Sequence, residues 1–252
     1  MDDDGILRRI YERRLAEALE RDALPRHVGV IVDGNRRWAR AAGASTEEGH
    51  RHGAAKITEF LAWCEELSIP LVTVWLLSTD NFSRPPEELE ALYGIIAGAV
   101  EEYTAEGYAV RIAGSPGLLP PRVHERIDAL IAEAAPTKGL VVNLAIGYGG
   151  RQEIVDAVRE LVLDGAAAGR TPEEVAASIS IEAISEHLYT RGQPDPDLII
   201  RTSGEQRMSG FLLWQSVHSE YWFCETYWPG FRRTDFLRAL RDYCRRERRY
   251  GS

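Results

Sequence analysis

Four stretches of this 252-residue chain concentrate the side chains that could do chemistry. They are Asp33-Gly34-Asn35-Arg36-Arg37-Trp38, Ser78-Thr79-Asp80-Asn81-Phe82-Ser83-Arg84, Gly147-Tyr148-Gly149-Gly150-Arg151 and Arg201-Thr202-Ser203-Gly204-Glu205-Gln206-Arg207-Met208-Ser209. All four are rich in glycine, arginine and small polar donors, a pattern that purely structural loops do not need. Arginine grips phosphate oxygens bidentately, and amides of glycine-rich turns at helix starts add further donors. Among such arginines Asp33 suits Mg2+, which usually takes one or two carboxylates plus substrate phosphate oxygens. Residue types alone therefore predict a metal-dependent enzyme acting on a diphosphate or phosphate ester. The chain has no G-x-x-x-x-G-K-[ST], and its first turn lacks G-x-G-x-x-G, which disfavours kinase, GTPase and dinucleotide chemistry. It also lacks a serine nucleophile elbow and a Cys/His pair.

Such loops need a rigid frame. Apolar runs at 28–32, 71–77, 109–112, 140–145, 198–200 and 221–223 read as buried strands. Helical spacing covers 54–67, 87–103, a stretch beginning after Pro120-Pro121, 152–162 and 234–246, and Thr171-Pro172 supplies an N-cap followed by an N1 proline. Strands that are apolar throughout and separated by helices imply a mainly parallel six-stranded sheet covered on both faces, in one α/β domain. The four reactive stretches follow the first, second, fourth and fifth strands, where open α/β sheets bind ligands. Trp63, Leu67, Leu89, Leu92, Ile95 and Ile96 are expected in the core. At the start, Leu7, Ile10, Tyr11, Leu15 and Leu19 recur at helical spacing. The triplet Asp2-Asp3-Asp4 reads as a solvated tail ahead of that helix. The chain thus divides into an N-terminal amphipathic helix with its tail (1–26) and a catalytic domain (27–252).

The composition is that of an ordinary globular protein, 44% hydrophobic and 27% charged. A net charge of −9 argues against nucleic-acid binding, although a local arginine cluster can still hold an anion. Cys64, Cys224 and Cys244 are too few and scattered for a disulfide framework or zinc site, and read as idle thiols in a reducing cytosol. No signal-peptide or membrane-spanning run is present in the sequence, so a cytoplasmic protein with at most peripheral membrane contact is expected.

Taken together, the stretches resemble the signature segments of the cis-prenyltransferase (undecaprenyl diphosphate synthase) family. Its H-x-x-x-x-x-D-G-N-x-R-W stands as His27 to Trp38, S-x-[ED]-N-[WF]-x-R as Ser78 to Arg84, and Y-G-G-R as Tyr148 to Arg151. Its R-T-x-G-E-x-R-x-S-x-F-L-L-W-Q…S-E stands as Arg201 to Gln215 followed by Ser219-Glu220. The resemblance runs from about residue 27 to the C-terminus. It implies Mg2+-dependent head-to-tail condensation of isopentenyl diphosphate with an allylic diphosphate (geranyl or farnesyl), giving a new Z double bond in a homodimer with a hydrophobic product tunnel. Asp33 becomes the essential carboxylate for the metal and the departing diphosphate. Gly34, Asn35, Arg36, Arg37, Trp38 and His50 correspond to the allylic site, and Arg201, Arg207 and Ser209 to the isopentenyl site. Asn81, with Ser78 nearby, corresponds to the position of proton removal; asparagine is not basic, so it is expected to orient substrate or relay the proton. Thr79, Asp80, Phe82, Arg84 and Met208 belong to the same substrate-binding segments. Glu220 is the second metal ligand, expected from the partner subunit.

Departures from the family pattern bear on the product. An arginine that long-chain members carry near Thr46 is missing, a contact Arg36 is placed to replace. Leu76 stands where those members have alanine and would narrow the tunnel. The run from Arg201 to Gln215 resembles the actinobacterial short-chain branch, the (2Z,6E)-farnesyl diphosphate synthases, so a C15 product is expected. Rival readings are a decaprenyl or undecaprenyl synthase, a non-catalytic partner subunit of the same fold, a sibling enzyme making branched or cyclised products from dimethylallyl units, and a generic magnesium phosphohydrolase. Individual residues also have blander readings: Asp33 as a helix N-cap, His50 as a structural histidine, Glu220 as an edge-strand carboxylate, Asn81 as a turn residue. The cluster Arg245, Arg246, Arg248 and Arg249 reads as a solvated helix end.

Overall fold

The computed structural model describes residues 3–246. In chain order it contains helix α1 (Asp3–Glu17), strand β1 (His27–Ile31), α2 (Asn35–Ala42), α3 (Thr46–Glu66), β2 (Leu71–Ser78), α4 (Pro86–Ala105), β3 (Ala109–Ala113), α5 (Pro121–Glu133), β4 (Val141–Tyr148), α6 (Gly150–Ala167), α7 (Pro172–Ser178), α8 (Ile181–Ser185), β5 (Leu198–Arg201), β6 (Glu220–Phe223) and α9 (Arg233–Arg245). The strands form one all-parallel sheet in the order β3-β4-β2-β1-β5-β6. From β1 the chain builds outward through β2, then returns to lay β5 on β1's other side. That reversal is the topological switch point, and it lies between β1 and β5.

Alternation along the strands divides the core. Val28, Val30, Val72, Val74, Leu198 and Ile200 face a large cluster with α3, α4, α5 and α9, while Ile31 and Ile199 face a smaller one with Tyr148, Phe211 and Leu212. Burying each such side chain contributes about 1.5–3 kcal/mol, so both faces must stay covered. Of the expected core residues, Leu67, Leu92 and Ile96 are buried, and Trp63 and Leu89 pack against the large cluster. All three cysteines are unpaired, and burial pushes the Cys64 thiol well up, which keeps it inert.

Three local expectations change. Helix α1 already begins at Asp3, so the aspartate triplet is not wholly a tail; Asp2 lies outside the described residues. Of the expected apolar stripe only Leu15, and Leu19 just past the helix end, are buried, whereas Leu7, Ile10 and Tyr11 stay exposed where the helix runs along α9. Helix α3 starts eight residues earlier than its apolar spacing suggested, at a Ser45–Glu48 capping box, and α2 precedes it. A Cβ at Gly49 would stand 2.5 Å from the Asn35 carbonyl oxygen, and one at Gly53 would stand 2.5 Å from Asn35 Oδ1. Two glycines one turn apart thus let the start of α2 lie directly on α3.

His27 anchors the far end of the sheet. Its Nδ1–H donates to the Pro194 carbonyl (2.8 Å), and Nε2 accepts from Thr73 Oγ1 (2.8 Å). Thr73 Oγ1 in turn accepts from Asn143 Nδ2 (3.1 Å). Burial pulls the imidazole pKa down to about 4, against the raising influence of its hydrogen bond to Pro194. Between that value and the ordinary 6.5 the unfolded chain binds the extra proton. The neutral ring's contribution is therefore complete above pH 6.5 and is lost as pH falls toward 4, about 2 kcal/mol of it by pH 5. The unfolding free energy from urea titration should fall by that much more between pH 7.5 and 5 in the native chain than in His27→Asn.

Candidate active site

At the β1/β5 switch point the backbone of Asp33 is clamped by Thr202. The Asp33 N–H donates to Thr202 Oγ1 (3.0 Å), and the Thr202 hydroxyl donates to the Asp33 carbonyl (2.7 Å). The carboxylate lies between two arginines: Oδ1 accepts from Arg37 Nη2 (3.1 Å) and Oδ2 from Arg201 Nη2 (2.9 Å). Burial alone would raise this carboxyl group, but the hydrogen bond and charge of Arg201, with the charge of Arg37, outweigh it and hold Asp33 below the usual carboxylate range. It is ionised at neutral pH. The N-cap of α2 is Gly34, not Asp33, so the capping reading of Asp33 falls. Gly34 sits at φ 106°, and a Cβ there would meet Tyr227 Cδ1 at 2.8 Å. Since glycine has no capping side chain, the first-turn N–H groups of α2 are left for a ligand.

The arginines are held by an alternating chain of acids. Arg37 Nη2 donates to Ser203 Oγ (2.6 Å), Arg37 Nη1 to Glu205 Oε1 (3.3 Å), and Arg207 pairs with the other oxygen of Glu205. Arg201 is only 5% exposed; its Nη1 donates to Ser209 Oγ (3.1 Å) and to the Arg207 carbonyl. On the opposite side Glu88 gathers Arg84 (3.2 Å), His50 (3.4 Å) and Arg36 (3.8 Å). Burial lowers the His50 pKa despite its hydrogen bond to Glu88, and the neighbouring charge of Arg84 adds to the lowering.

Two cavities meet over Asp33. The first, about 300 Å³, is basic: Gly34, Asn35, Arg36, Arg37, Arg40, His50 and Arg84 line it with Asp33. The second, about 260 Å³, is lined by Ser78, Asp80, Asn81, Arg84, Arg201, Ser209, Trp75 and Leu76, again with Asp33. Asn81 Oδ1 accepts from the Ser78 N–H (3.1 Å), which fixes the amide's orientation and uses one of the oxygen's two acceptor lone pairs. This side chain can orient and donate; it is no base.

A small apolar pocket of about 40 Å³ opens behind Asn35 and His50, walled by Leu76, Ile57, Leu92, Ile95, Ile96 and Ala99. This pocket stands where a product tunnel is expected from the sequence. Leu76 reaches it through an irregularity in the sheet. Along β2–β4, Trp75 pairs with Ala145 but Leu77 with Ile146, so an extra residue enters β2 at Leu76. The register recovers when Ser78 pairs with Tyr148, past Gly147 at φ 60°. Leu76 and Leu77 therefore both turn toward the large core.

Some expected residues are elsewhere. Trp38 is not among the cavity-lining residues; its ring packs on His52, 4.6 Å away. Phe82 joins the large core, Met208 the small one, and Thr79 abuts Gly149. Arg207 is 64% exposed and engages Glu205. Glu220 stands at the opening of β6, level with Leu198, at the opposite end of the sheet from Asp33, and pairs with Arg246. Arg248 and Arg249 lie outside the described residues. The sequence pattern left Arg40 and Glu88 outside the reactive stretches, and it gave no individual role to Thr202, Ser203 and Glu205, which lie inside the last of them. Arg40, one turn beyond Arg36, and Glu88, one turn beyond Arg84, carried the available signal.

A sequence profile of the family described as putative undecaprenyl diphosphate synthase matches residues 31–251. The chain belongs to this prenyltransferase family. It is 57% identical over 252 residues to the (2Z,6E)-farnesyl diphosphate synthase of Thermobifida fusca, spanning 98% of this chain and 99% of that one. It is 54% identical to the short-chain Z-isoprenyl diphosphate synthase of Mycobacterium bovis, spanning 97% and 95%. Among solved structures, lavandulyl diphosphate synthase from Lavandula x intermedia, in complex with dimethylallyl diphosphate, superposes with a TM-score of 0.83 at 32% identity. That match covers 92% of this chain and all of the other. The prenyltransferase thus shares both fold and near-complete length with enzymes of prenyl diphosphate synthesis. Among its described residues no helix is long and apolar enough to cross a membrane.

Proposed function

We propose that this prenyltransferase condenses isopentenyl diphosphate with an allylic diphosphate, head to tail, forming one Z double bond and a short product such as (2Z,6E)-farnesyl diphosphate. One observation carries the reading: two adjoining cavities share Asp33, one walled by Arg36, Arg37 and Arg40, the other by Arg201, Ser209 and Asn81. Two anionic substrates held in them would meet over a single carboxylate. The allylic diphosphate suits the basic cavity and the α2 N-terminus, where arginines stabilise charge that develops as the C–O bond breaks. The isopentenyl diphosphate suits Arg201 and Ser209. Asn81 orients the isopentenyl carbon, and the proton lost there passes to a diphosphate oxygen, since the amide has no free basicity.

The donor set fits Mg2+: Asp33 is held ionised, and this ion takes one or two carboxylates with substrate phosphates and water. When bound, the ion neutralises charge on the departing diphosphate. We assign Glu220 as the second carboxylate, contributed by the partner in a cytoplasmic homodimer, and its distance from Asp33 within one chain supports this. If the site is shared, mixing inactive Asp33→Asn and Glu220→Gln dimers should restore about a quarter of native activity after exchange, because half the dimers are mixed and each carries one intact site. Mixtures that stay inactive would place Glu220 outside the site.

Leu76 and the small pocket behind it, with the short-chain relatives, support a C15 product over a long one. The intact Asn81, Arg201 and Ser209 argue against a non-catalytic subunit. Chromatography of the products made from geranyl and isopentenyl diphosphates tests the reading: C15 is expected, and mainly C50–C55 chains would contradict it.

A further inference from the structure

Glu153 is wholly buried on α6, one turn past the Gly149-Gly150 turn, yet lines neither cavity. Its carboxylate collects neutral donors from three separate segments. Oε2 accepts from the Tyr148 hydroxyl (2.5 Å), and Oε1 accepts from the Tyr189 N–H (3.1 Å) and Gln215 Nε2 (3.0 Å). Gln215 Nε2 also donates to Thr190 Oγ1 (2.9 Å). A buried carboxylate without such donors would be costly, so the three segments are bound to this one point.

The segment ending at Gln215 is the one that serves Arg201. Within ten residues it places Ser203 (φ 78°), Gly204 (φ 74°), Ser209 (φ 51°), Gly210 (φ 87°) and Leu212 (φ 45°) in the left-handed region. Serine and leucine are strained there, and such backbone persists only where its surroundings over-determine it. The restraint comes from α6. Gly150 N–H donates to the Gly210 carbonyl (3.1 Å), and a Cβ at Gly150 would meet that oxygen at 2.3 Å and Leu213 Cβ at 2.5 Å. Phe211 then inserts into the small core and stacks on Trp75, with ring centroids 5.2 Å apart. Any drift of Gly210 would carry Ser209 and the Arg207 carbonyl with it, and these are the groups that aim Arg201 at Asp33.

We infer that Glu153, acting with Gln215 and Gly150, is a positioning residue for the Arg201 cavity: it pins the strained 203–215 segment and so sets affinity for the substrate held there. Under the function proposed above, that substrate is isopentenyl diphosphate. The Gly149-Gly150 turn, which reads in the sequence as a fourth phosphate loop, serves instead as the seat on which this segment docks.

The test compares Glu153→Leu, which removes the acceptors, with Glu153→Gln, which keeps an oxygen for Tyr189 and Gln215. Gln215→Met, of similar shape, stands in if Glu153→Leu does not fold. In Glu153→Leu the KM for isopentenyl diphosphate should rise at least about tenfold, the scale set by small displacements of positioning groups, while the allylic KM stays within about twofold. Glu153→Gln should restore the native value. Hydrogen exchange at amides 207–212 should quicken at least about tenfold in Glu153→Leu and not in Glu153→Gln. Both KM values rising together, or neither moving in a folded variant, would overturn the inference. Native protein that forms no condensation product would sink the proposed function alone, because the exchange measurement still decides the role of Glu153.

Discussion

Asp33→Asn is expected to lower kcat by about 10²–10³-fold or more while leaving the fold intact. Preorganised charge at the point where leaving-group charge develops carries effects of that size, and the carboxylate is also the proposed Mg2+ ligand. The amide keeps the shape of the side chain but offers one oxygen where Arg37 and Arg201 now take two. Its NH2 group would face a guanidinium. Losing one such charged hydrogen bond costs about 1–3 kcal/mol, which a urea midpoint would register. Steady-state kinetics would show the fall in kcat, and native-like turnover would remove Asp33 from the chemistry.

Leu76→Ala should lengthen the product. Leucine to alanine deletes three carbons from the wall of a pocket of about 40 Å³, and one isoprene unit adds five. The expected shift is therefore about one unit, with C20 joining or replacing C15, unless Ile95 and Leu92 on α4 also yield. Because Leu76 is only half-buried, its truncation should cost about 1–3 kcal/mol, toward the low end for core leucines. Product chromatography decides: an unchanged C15 product in a folded variant would move the chain-length stop from Leu76 to the helix behind it.

Much of this was legible in the sequence because the sheet is parallel and doubly covered. Strands such as 71–77 are apolar throughout and stand out without alternation. The reactive loops are marked by their place directly after apolar strands, and the structure brings three of them to the switch point. Strand order was not legible, so neither was the closeness of Asp33 to Arg201. Helix α2 and the first turns of α3 were missed because their sequence is charged and glycine-bearing; the helices form there because Gly49 and Gly53 admit Asn35, a tertiary cause with no local periodicity. The bulge that turns Leu76 inward depends on Gly147 in the neighbouring strand. Glu88 and Glu205 were passed over because acids near a diphosphate site look unhelpful, yet they hold the arginines in place. Glu153 gave little local signal, since beyond nearby Tyr148 its partners Tyr189 and Gln215 come from two distant segments.

If the crevice over Asp33 joins two prenyl diphosphates, the protein with Mg2+, geranyl diphosphate and labelled isopentenyl diphosphate should place the label in a C15 diphosphate whose new double bond is Z. Extracted products are resolved by length and double-bond geometry. Label that stays with unreacted isopentenyl diphosphate with either geranyl or farnesyl primer, or phosphate release without chain growth, would contradict the condensation.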